Sequence, residues 1–240
     1  MDSQPIIKLL TAAGTGSRRK MTEAIKNGKV ALNGRIVESF LQPVNVKEDV
    51  ITVEGKRIIF QAEKRAYLML NKPKGVVSTT SSERDEKTVI NLLPRKYQGM
   101  RLYPVGRLDK DSTGLVLLTN DGDLTFQLTH PRFEQEKEYL VQVEGDLKPD
   151  DRKKLENGVD LEEGKTSPAR VRRVKFPPYN YSITIHEGRK RQVRRMFASL
   201  GYRVMELKRV RLGNLMIGNL SEGKIRELTP QEIRNLRRKI

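Results

Sequence analysis

The sequence predicts an α+β protein in which a small helix-helix-hairpin module precedes a larger domain built on a mixed, mostly antiparallel sheet with flanking helices. The length of 240 residues exceeds the usual size of one domain. Strand and helix patterns alternate irregularly, and the strands alternate in polarity and are joined by short turns, as in antiparallel sheets. A polar joint, QAEKRA, places the boundary near residue 63 and gives domains 1–63 and 64–240.

The small module begins with two short helices. An apolar segment at residues 6–13 predicts the first helix, and Ser17 is the expected cap of a second helix over SRRKMTEAIK. Asn33-Gly34 lies between two apolar runs and predicts a tight hairpin. Further strands are predicted at DVITVEG and KRIIF.

The larger domain has a longer series of predicted elements. Strands are expected at 67–70, 75–78, 139–143, 170–175, 181–185, 204–209 and 224–228. Helices are expected near 88–93, 121–129, 149–156, 189–200 and 230–238. The last helix has the clearest start, because Thr229-Pro230-Gln231-Glu232 combines an N-cap, a proline in the first turn and a glutamate that can close a capping box.

The composition limits the chemistry that this chain can perform. It contains no Cys and two His, which excludes disulfides, thiolate nucleophiles, cysteine-bound zinc and a Ser-His-Asp triad of the ordinary kind. His130 and His186 have no evident metal-ligand or nucleophile beside them in the sequence, so both are expected to be structural. Catalysis would therefore depend on carboxylates, phenols and guanidiniums.

The charge indicates a polyanionic partner. The formal net charge is +17, and residues 170–240 contain nineteen basic and five acidic residues, with Arg at fourteen of the basic positions. Arg is suited to phosphates and stacked bases, which favours nucleic acid over a membrane surface in a chain with no Trp and 5% aromatic residues. Because no long apolar run or signal pattern is present, we expect a cytoplasmic protein.

The segment GRLDKDSTG, residues 106–114, interrupts two apolar runs that read as buried strands. A loop held in this way can present one carboxylate, Asp109, at a fixed position. Two other interpretations remain open at this point. The segment could be a solvated turn, or Asp109 and Asp111, like Asp121 and Asp123, could be ligands of a divalent metal.

The predicted helix at 189–200 has one apolar face and one cationic face. Val193, Met196, Phe197 and Leu200 share the first, and Arg191, Arg194 and Arg195 share the second. Three arginines at this spacing repel one another, which indicates a nearby phosphate or carboxylate. The alternative is an ordinary solvated helix face.

Two further features are candidates for RNA contact. Tyr139 begins an alternating strand, where it could be part of the core or could stack on a base. Cations cluster on or beside the second helix of the small module and could contact phosphates without reading sequence; they are Arg18, Arg19, Lys20, Lys26 and Lys29.

Four blocks of this sequence resemble a known family. GRLDKDSTGLVLLTNDG is similar to the central motif of the pseudouridine synthases of the RsuA/RluB branch, which act on ribosomal RNA. LNKPKGVVST precedes it, and KEYLVQVEG and GRKRQVRRMFASLGYRVMELKRVRLG follow it, in the family's order. Arg191 favours this branch, because synthases of another branch have His there. The N-terminal IIKLLTAAGTGSRRKMTEAIKNGKVALNGRIV resembles the RNA-binding module named after ribosomal protein S-four.

The resemblance implies an enzyme that isomerises a specific uridine in ribosomal RNA to pseudouridine, with large-subunit RNA favoured over small-subunit RNA. It implies that Asp109 is the catalytic carboxylate, Tyr139 the active-site aromatic residue and Arg194 the ionic partner of Asp109. Arg107 would help to displace the target base, with an apolar residue in the range 204–212 beneath it. No metal or organic cofactor takes part in such chemistry. The expected partner is ribosomal RNA, with no membrane, and the expected state is a monomer.

Two other functions are compatible with these residues. One is a non-catalytic RNA-binding factor of ribosome assembly on the same fold, which the intact Asp109 within GRLDKDSTG disfavours. The other is a metal-dependent nuclease using Asp109/Asp111 and Asp121/Asp123, which would need divalent ions.

Overall fold

The computed structural model describes residues 3–59, 64–82 and 84–238, and the chain divides into two compact units, Met1–Arg65 and Ala66–Ile240. The predicted α+β class is confirmed. The joint at 60–63, which contains the predicted boundary and the end of the predicted strand KRIIF, lies outside the described residues. No helix in the described ranges is long and apolar enough to cross a bilayer.

The described part of the first unit, residues 3–59, contains two helices and six short strands. The helices are α1 (Ile6–Ala12) and α2 (Arg18–Lys26). The strands are β1 (Ser3–Pro5), β2 (Val30–Leu32), β3 (Arg35–Ile36), β4 (Pro43–Asn45), β5 (Ile51–Val53) and β6 (Lys56–Arg57). β3, β2, β5 and β6 form one sheet in that order, and β1 pairs with β4.

The local signals predicted for this unit are confirmed. The Ser17 hydroxyl accepts a hydrogen bond from the Lys20 amide at 3.1 Å and caps α2. Asn33 and Gly34 both have positive φ, at 50° and 81°, as a two-residue type I′ hairpin requires. The buried apolar residues of α1, α2 and the strands form a core of their own.

The second unit is built on a nine-stranded sheet. Its strands are β7 (Tyr67–Lys72), β8 (Tyr103–Val105), β9 (Thr113–Thr119), β10 (Lys137–Val143), β13 (Arg170–Phe176), β14 (Tyr179–Ile185), β15 (Val204–Leu212), β16 (Leu215–Met216) and β17 (Ile225–Glu227). Two further strands, β11 (Asp160–Leu161) and β12 (Gly164–Lys165), form a separate hairpin. The main order is β13-β14-β10-β15-β9-β7-β17, with β16 against β15 and β8 against β9.

Four helices flank this sheet in the described part of the second unit. They are α3 (Gly122–Thr129), α4 (Pro149–Asn157), α5 (Gln192–Ala198) and α6 (Pro230–Arg237), and 3-10 turns occur at Ile90–Leu92, Arg95–Tyr97 and Pro131–Phe133. The predicted capping box is confirmed, since the Thr229 hydroxyl accepts from the Glu232 amide and the Glu232 carboxylate accepts from the Thr229 amide. A hydrogen-bonded ion pair with Arg226 lowers the pKa of Glu232 to about 2.

The predicted strand at 75–78 is wrong. Gly75 has φ +84° within a turn, and Val77 makes only an isolated bridge to Thr88. The main-chain carbonyl of Val76 accepts a hydrogen bond from the Lys72 ammonium at 2.7 Å, so this backbone group is bound by a side chain instead of a neighbouring strand. The predicted helix at 88–93 is likewise reduced to the single 3-10 turn Ile90–Leu92.

The predicted helix at 189–200 is shorter than expected. α5 begins at Gln192 because Arg191 has a left-handed conformation, φ 51°, which ends the helix on its N-terminal side. Val193, Met196 and Phe197 are buried, as predicted for the apolar face. Arg191 therefore precedes the helix instead of sharing a helical face with Arg194 and Arg195.

A close contact between β9 and β15 joins the two parts of the large sheet. These strands pair in parallel through Thr113 with Lys208 and Gly114 with Arg209, whereas the other ladders in the described sheet are antiparallel. Gly114 has φ +106°, and a Cβ atom there would lie 2.2 Å from the Arg209 carbonyl oxygen. Only glycine fits this approach. The residues on either side of this contact belong to the predicted catalytic segments.

We expect a fragment that begins at Lys64 to fold without the first unit. The cores of the two units are made from different residues, and the joint between them is polar. The test is the circular dichroism spectrum and thermal unfolding of residues 64–240 beside the full chain. An insoluble fragment, or one without a cooperative transition, would contradict this prediction.

Candidate active site

The second unit contains a cavity of about 820 Å³, which is within the range of small-ligand sites. It lies between the segment that precedes β9, the strands β10 and β15, and the segment that precedes α5. Its charged and aromatic lining residues are Arg107, Asp109, Lys110, His130, Lys137, Tyr139, His186, Glu187, Arg189, Lys190, Arg191 and Arg209. The segments predicted at 106–114, 139–143 and 189–200 therefore meet at one cavity.

Asp109 lies in a loop whose backbone is fixed on both sides. The Ser78 hydroxyl accepts from the Leu108 amide at 3.1 Å and donates to the Leu108 carbonyl at 3.0 Å. The Ser112 amide donates to the Asp109 carbonyl at 3.1 Å. Within the described ranges the Asp109 carboxylate makes no hydrogen bond or ion pair, and it is partly exposed at the cavity. The loop thus presents an uncommitted carboxylate at a defined position.

Lys72 holds this loop through hydrogen bonds to main-chain carbonyls. Its side chain is fully buried, and the ammonium donates to the carbonyls of Pro73 at 2.9 Å, Val76 at 2.7 Å and Lys110 at 3.4 Å. Burial lowers the pKa of Lys72 to about 8, although the charges of Asp111, Glu222 and Asp109 act in the opposite direction. Lys72 therefore connects the end of β7 to the turn that follows Asp109.

Tyr139 lies on β10 and lines the same cavity, with 8% of the residue exposed. In the sheet it is opposite Ile183 on one side and Arg209 on the other. Tyr139 is buried, as a core residue would be, and it also lines the cavity, where its ring could contact a ligand. This placement is compatible with a core position and with stacking on a base, so both remain predictions.

The expected ion pair between Arg194 and Asp109 is corrected by the structure, which places Arg194 on Asp111. The Arg194 Nε lies 3.5 Å from Asp111 Oδ2, and the guanidinium donates to the main-chain oxygens of Asp111 at 3.2 Å and Val204 at 2.9 Å. Asp109 and Asp111 are on either side of Lys110 in a turn, so the sequence spacing does not fix which carboxylate faces α5.

Arg191 completes the cluster around Asp111. Its guanidinium binds both carboxylate oxygens, at 3.0 and 2.9 Å. The hydrogen bonds from Arg191, together with the charges of Arg194 and Arg191, lower the pKa of Asp111 below its usual range. Asp111 therefore remains ionised and connects the loop to the start of α5 through two arginines.

The other predicted RNA-binding cations differ in their surroundings. Arg107 is exposed and lines the cavity. Arg195 is bound to both oxygens of Glu163, at 2.9 and 2.7 Å, and does not line the cavity. In the first unit, Arg18, Arg19 and Lys20 are exposed and form no ion pair within the described residues, whereas Lys29 is paired with Glu54 at 2.8 Å.

Two of the four carboxylates considered as metal ligands, Asp111 and Asp121, are bound by other groups. Asp111 is held by two arginines, and the buried Asp121 caps α3 through the Leu124 amide and accepts from Tyr67 and Arg237. Among the residues that the structure describes, no group of three His, Asp or Glu side chains has the arrangement of a metal site. His130 and His186 both line the cavity, where His130 accepts from the Arg132 amide at 3.3 Å.

Two buried cations of the cavity are not among the residues that the sequence predicts for the site. Lys137 and Arg209 are mostly buried cations on β10 and β15. A cation on a strand is usually exposed, and the sequence of β10 and β15 gives no signal that marks these two as buried. Only the pairing of β10 with β15 brings them to the cavity.

Comparisons with known proteins agree with this geometry. The family model described as RNA pseudouridylate synthase matches residues 66–199. The ribosomal large subunit pseudouridine synthase B of Bacillus subtilis (strain 168) is 42% identical over 234 residues, covering 96% of this chain and 94% of that protein. An uncharacterized RNA pseudouridine synthase of Aquifex aeolicus (strain VF5) is 38% identical, with coverage of 96% and 92%.

A solved structure is also similar over nearly the whole chain. The crystal structure of a pseudouridylate synthase superimposes with a TM-score of 0.69 at 35% identity, covering 96% of this chain and 98% of that one. The similarity includes both units, since the coverage exceeds the length of the second unit alone.

We expect the Arg194–Asp111 contact to contribute measurable coupling to stability. In a double-mutant cycle, Asp111→Asn and Arg194→Gln each remove one partner of this partly buried ion pair. The two losses of unfolding free energy should therefore fail to add, and the difference, the coupling energy, should be about 1 kcal/mol. Urea unfolding of the four proteins measures it. The matched control is Arg195→Gln, whose partner is Glu163, and its effect should add to that of Asp111→Asn. Additive effects in both cycles would contradict the assignment.

Proposed function

The chain belongs to the RNA pseudouridylate synthase family, and we propose that it isomerises one uridine of ribosomal RNA to pseudouridine with Asp109 as the catalytic carboxylate. The observation that carries the proposal is the Asp109 carboxylate, which is held on a fixed loop, lines the same cavity as Tyr139 and forms no ion pair within the described residues, whereas its neighbour Asp111 binds two arginines. A reacting carboxylate has to be available to the substrate, whereas a structural carboxylate is paired.

In the proposed reaction Asp109 acts as nucleophile or base while the bond from the ribose to N1 of uracil breaks. The detached base rotates and rejoins the ribose through C5, which loses its proton while N1 gains one. The target nucleotide has to leave its stack to expose the glycosidic carbon. The exposed Arg107 at the cavity supports a role in displacing it, and the Tyr139 ring provides a surface on which the base can lie.

Arg194 acts in this scheme as a positioning residue. Its contacts with Asp111 and with the Val204 carbonyl attach the Asp109 loop to α5 and to the start of β15. The proposal for Arg194 is thus indirect, through the loop, and differs from the direct partnership with Asp109 that the resemblance implies.

Several surfaces support RNA as the substrate. Arg107 and Lys190 are exposed at the cavity, where they can meet phosphates, whereas the exposed Arg191 is already bound to Asp111. An aromatic cluster on and after α3 includes Phe126, which is 44% exposed and contacts His130 and Phe133, with Arg132 over two of the rings. Exposed rings and guanidinium planes of this kind stack on unpaired bases.

The proposal extends to the RNA and to the first unit. The Bacillus subtilis relative is named for the large ribosomal subunit, which favours large-subunit RNA for this chain. The exposed Arg18, Arg19 and Lys20 on α2 support an S-four-like module that tethers the enzyme to RNA through phosphates.

Asp109→Asn should abolish pseudouridine formation while RNA affinity stays within a few-fold of the wild type, because the two side chains are nearly equal in size. We expect the rate to fall by more than about 1000-fold. The measurement is carbodiimide mapping of pseudouridine in ribosomal RNA from a deletion strain complemented with either protein, together with the dissociation constant for RNA in vitro. Loss of binding along with activity would mean that Asp109 is structural.

Chelation of divalent ions should leave the chemical step unchanged on a short, pre-folded RNA. This expectation follows from the arginines that bind Asp111 and Asp121, because a carboxylate held by a guanidinium is a poor ligand for a divalent ion. The rate of pseudouridine formation is compared with and without EDTA. A strict requirement for Mg²⁺ on that substrate, or cleavage of the RNA, would instead support a nuclease.

A further inference from the structure

Arg209 has an unusual position in this cavity. It is 2% exposed and lines the same cavity as Asp109 and Tyr139. Its Nε donates to the Leu115 carbonyl at 2.8 Å, but within the described chain its buried Nη2 donates to no acceptor. Buried guanidinium groups are normally paired, because an unmatched donor loses its hydration without compensation. A ligand oxygen in the cavity would supply the missing partner once the side chains that cover Nη2 shift to admit it.

A second buried cation lies near Arg209. The ammonium of Lys137 donates to the carbonyls of Gln135 at 2.9 Å, His186 at 3.4 Å and Glu187 at 3.5 Å. Burial, and then the charge of Arg209, lower the pKa of Lys137 to about 8, which shows that the two cations are close enough to repel each other. The donors of Lys137 are committed to carbonyls, so Arg209 is the one of the pair that can take a ligand.

We propose that the guanidinium of Arg209 binds a carbonyl oxygen of the extruded uracil and stabilises the negative charge that the base carries while it is detached from the ribose. This role rests on the proposed function. When the bond between C1′ and N1 breaks, its electron pair leaves with the base, and the resulting anion is spread over N1 and the two carbonyl oxygens. The pair returns from C5 to form the new bond to C1′, the proton on C5 is lost and N1 is protonated.

The burial of Arg209 favours a base over a phosphate. The exposed cations of the cavity, Arg107, Lys190 and Arg191, are placed where the RNA backbone can keep its hydration. A phosphate at Arg209 would have to lose most of its water, whereas a planar base with delocalised charge loses much less. A fixed donor aimed at a developing charge in a dry site is also the arrangement that lowers a reaction barrier most.

The position of Arg209 is rigid for two reasons. Its main chain is held against Gly114 by the parallel contact of β9 with β15, and its Nε is held by Leu115 on β9. The same strand β9 follows the loop that contains Asp109. The main chains that carry the carboxylate and the guanidinium are thus fixed by one strand pair.

The test compares Arg209→Lys with Arg211→Lys in the full chain. Arg211 lies on the same strand, and its guanidinium is bound by Glu136 and Glu138 outside the cavity lining. Single-turnover conversion of a saturating ribosomal RNA fragment is measured with thermal unfolding and with RNA affinity at several salt concentrations. We expect Arg209→Lys to be slower than the control by about 100-fold, with RNA affinity and its salt dependence unchanged.

Two results would overturn the proposal. One is a rate for Arg209→Lys within about three-fold of the Arg211→Lys control, which is far less than the loss of a charge-stabilising donor produces. The other is weaker RNA binding with a salt slope reduced by about one, which would assign Arg209 to a phosphate. An inactive wild type would refute the proposed function, whereas an active wild type with an equally active Arg209→Lys would refute only the role of Arg209.

A second measurement uses the wild-type protein and so does not depend on whether Arg209→Lys folds. Free 5-fluorouracil is titrated with pH in the presence and absence of the full chain and is followed by fluorine NMR. If Arg209 favours the anionic base, the bound base should ionise at a lower pH than the free base. A bound base with an unchanged pKa, or no binding at millimolar concentration, would overturn the proposal.

Discussion

The two-residue parallel contact between β9 and β15 is the constraint on which the site depends. On one side of it, β9 is continuous with the loop that presents Asp109, and on the other, β15 carries Arg209 and pairs with the strand of Tyr139. The backbones approach so closely that a side chain at Gly114 would collide with the Arg209 carbonyl. This main-chain contact therefore fixes the spacing of the two strands from which the Asp109 loop and Arg209 extend.

Ion pairing explains why the strongly basic C-terminal third is compatible with a compact unit. Arginines from residues 170–240 bind carboxylates of the preceding, electrically neutral segment, as Arg191 does with Asp111, Arg195 with Glu163 and Arg211 with Glu136. Such pairs leave the net charge of +17 unchanged, so an excess of cations still has no carboxylate within the chain. The exposed Arg107 and Lys190 at the cavity lie where the target nucleotide would enter.

The sequence predicts helix caps and tight turns correctly, but it does not predict contacts between residues that are far apart in the chain. The Ser17 cap, the Asn33-Gly34 hairpin and the capping box at Thr229 involve neighbouring residues, so the sequence contains the whole interaction. The strand predicted at 75–78 is absent because Gly75 lies in a turn with φ +84°, and the Val76 carbonyl accepts from the ammonium of Lys72. The partner of Arg194 was misassigned for a related reason. Two carboxylates separated by one residue are equivalent in sequence, and only the turn decides which of them meets α5.

Arg209 and Arg211 show why the residues of a site are hard to identify from the sequence of a strand. They are two positions apart on β15, yet Arg211 binds two carboxylates while Arg209 is buried with a donor unmatched. Asp109 and Asp111 differ in the same way, since one is uncommitted and the other is bound by two arginines. In each pair the structural member is satisfied within the protein. The other members, Asp109 and Arg209, line the same cavity. A substrate in which charge moves between the ribose and the base during the reaction would interact with both of them.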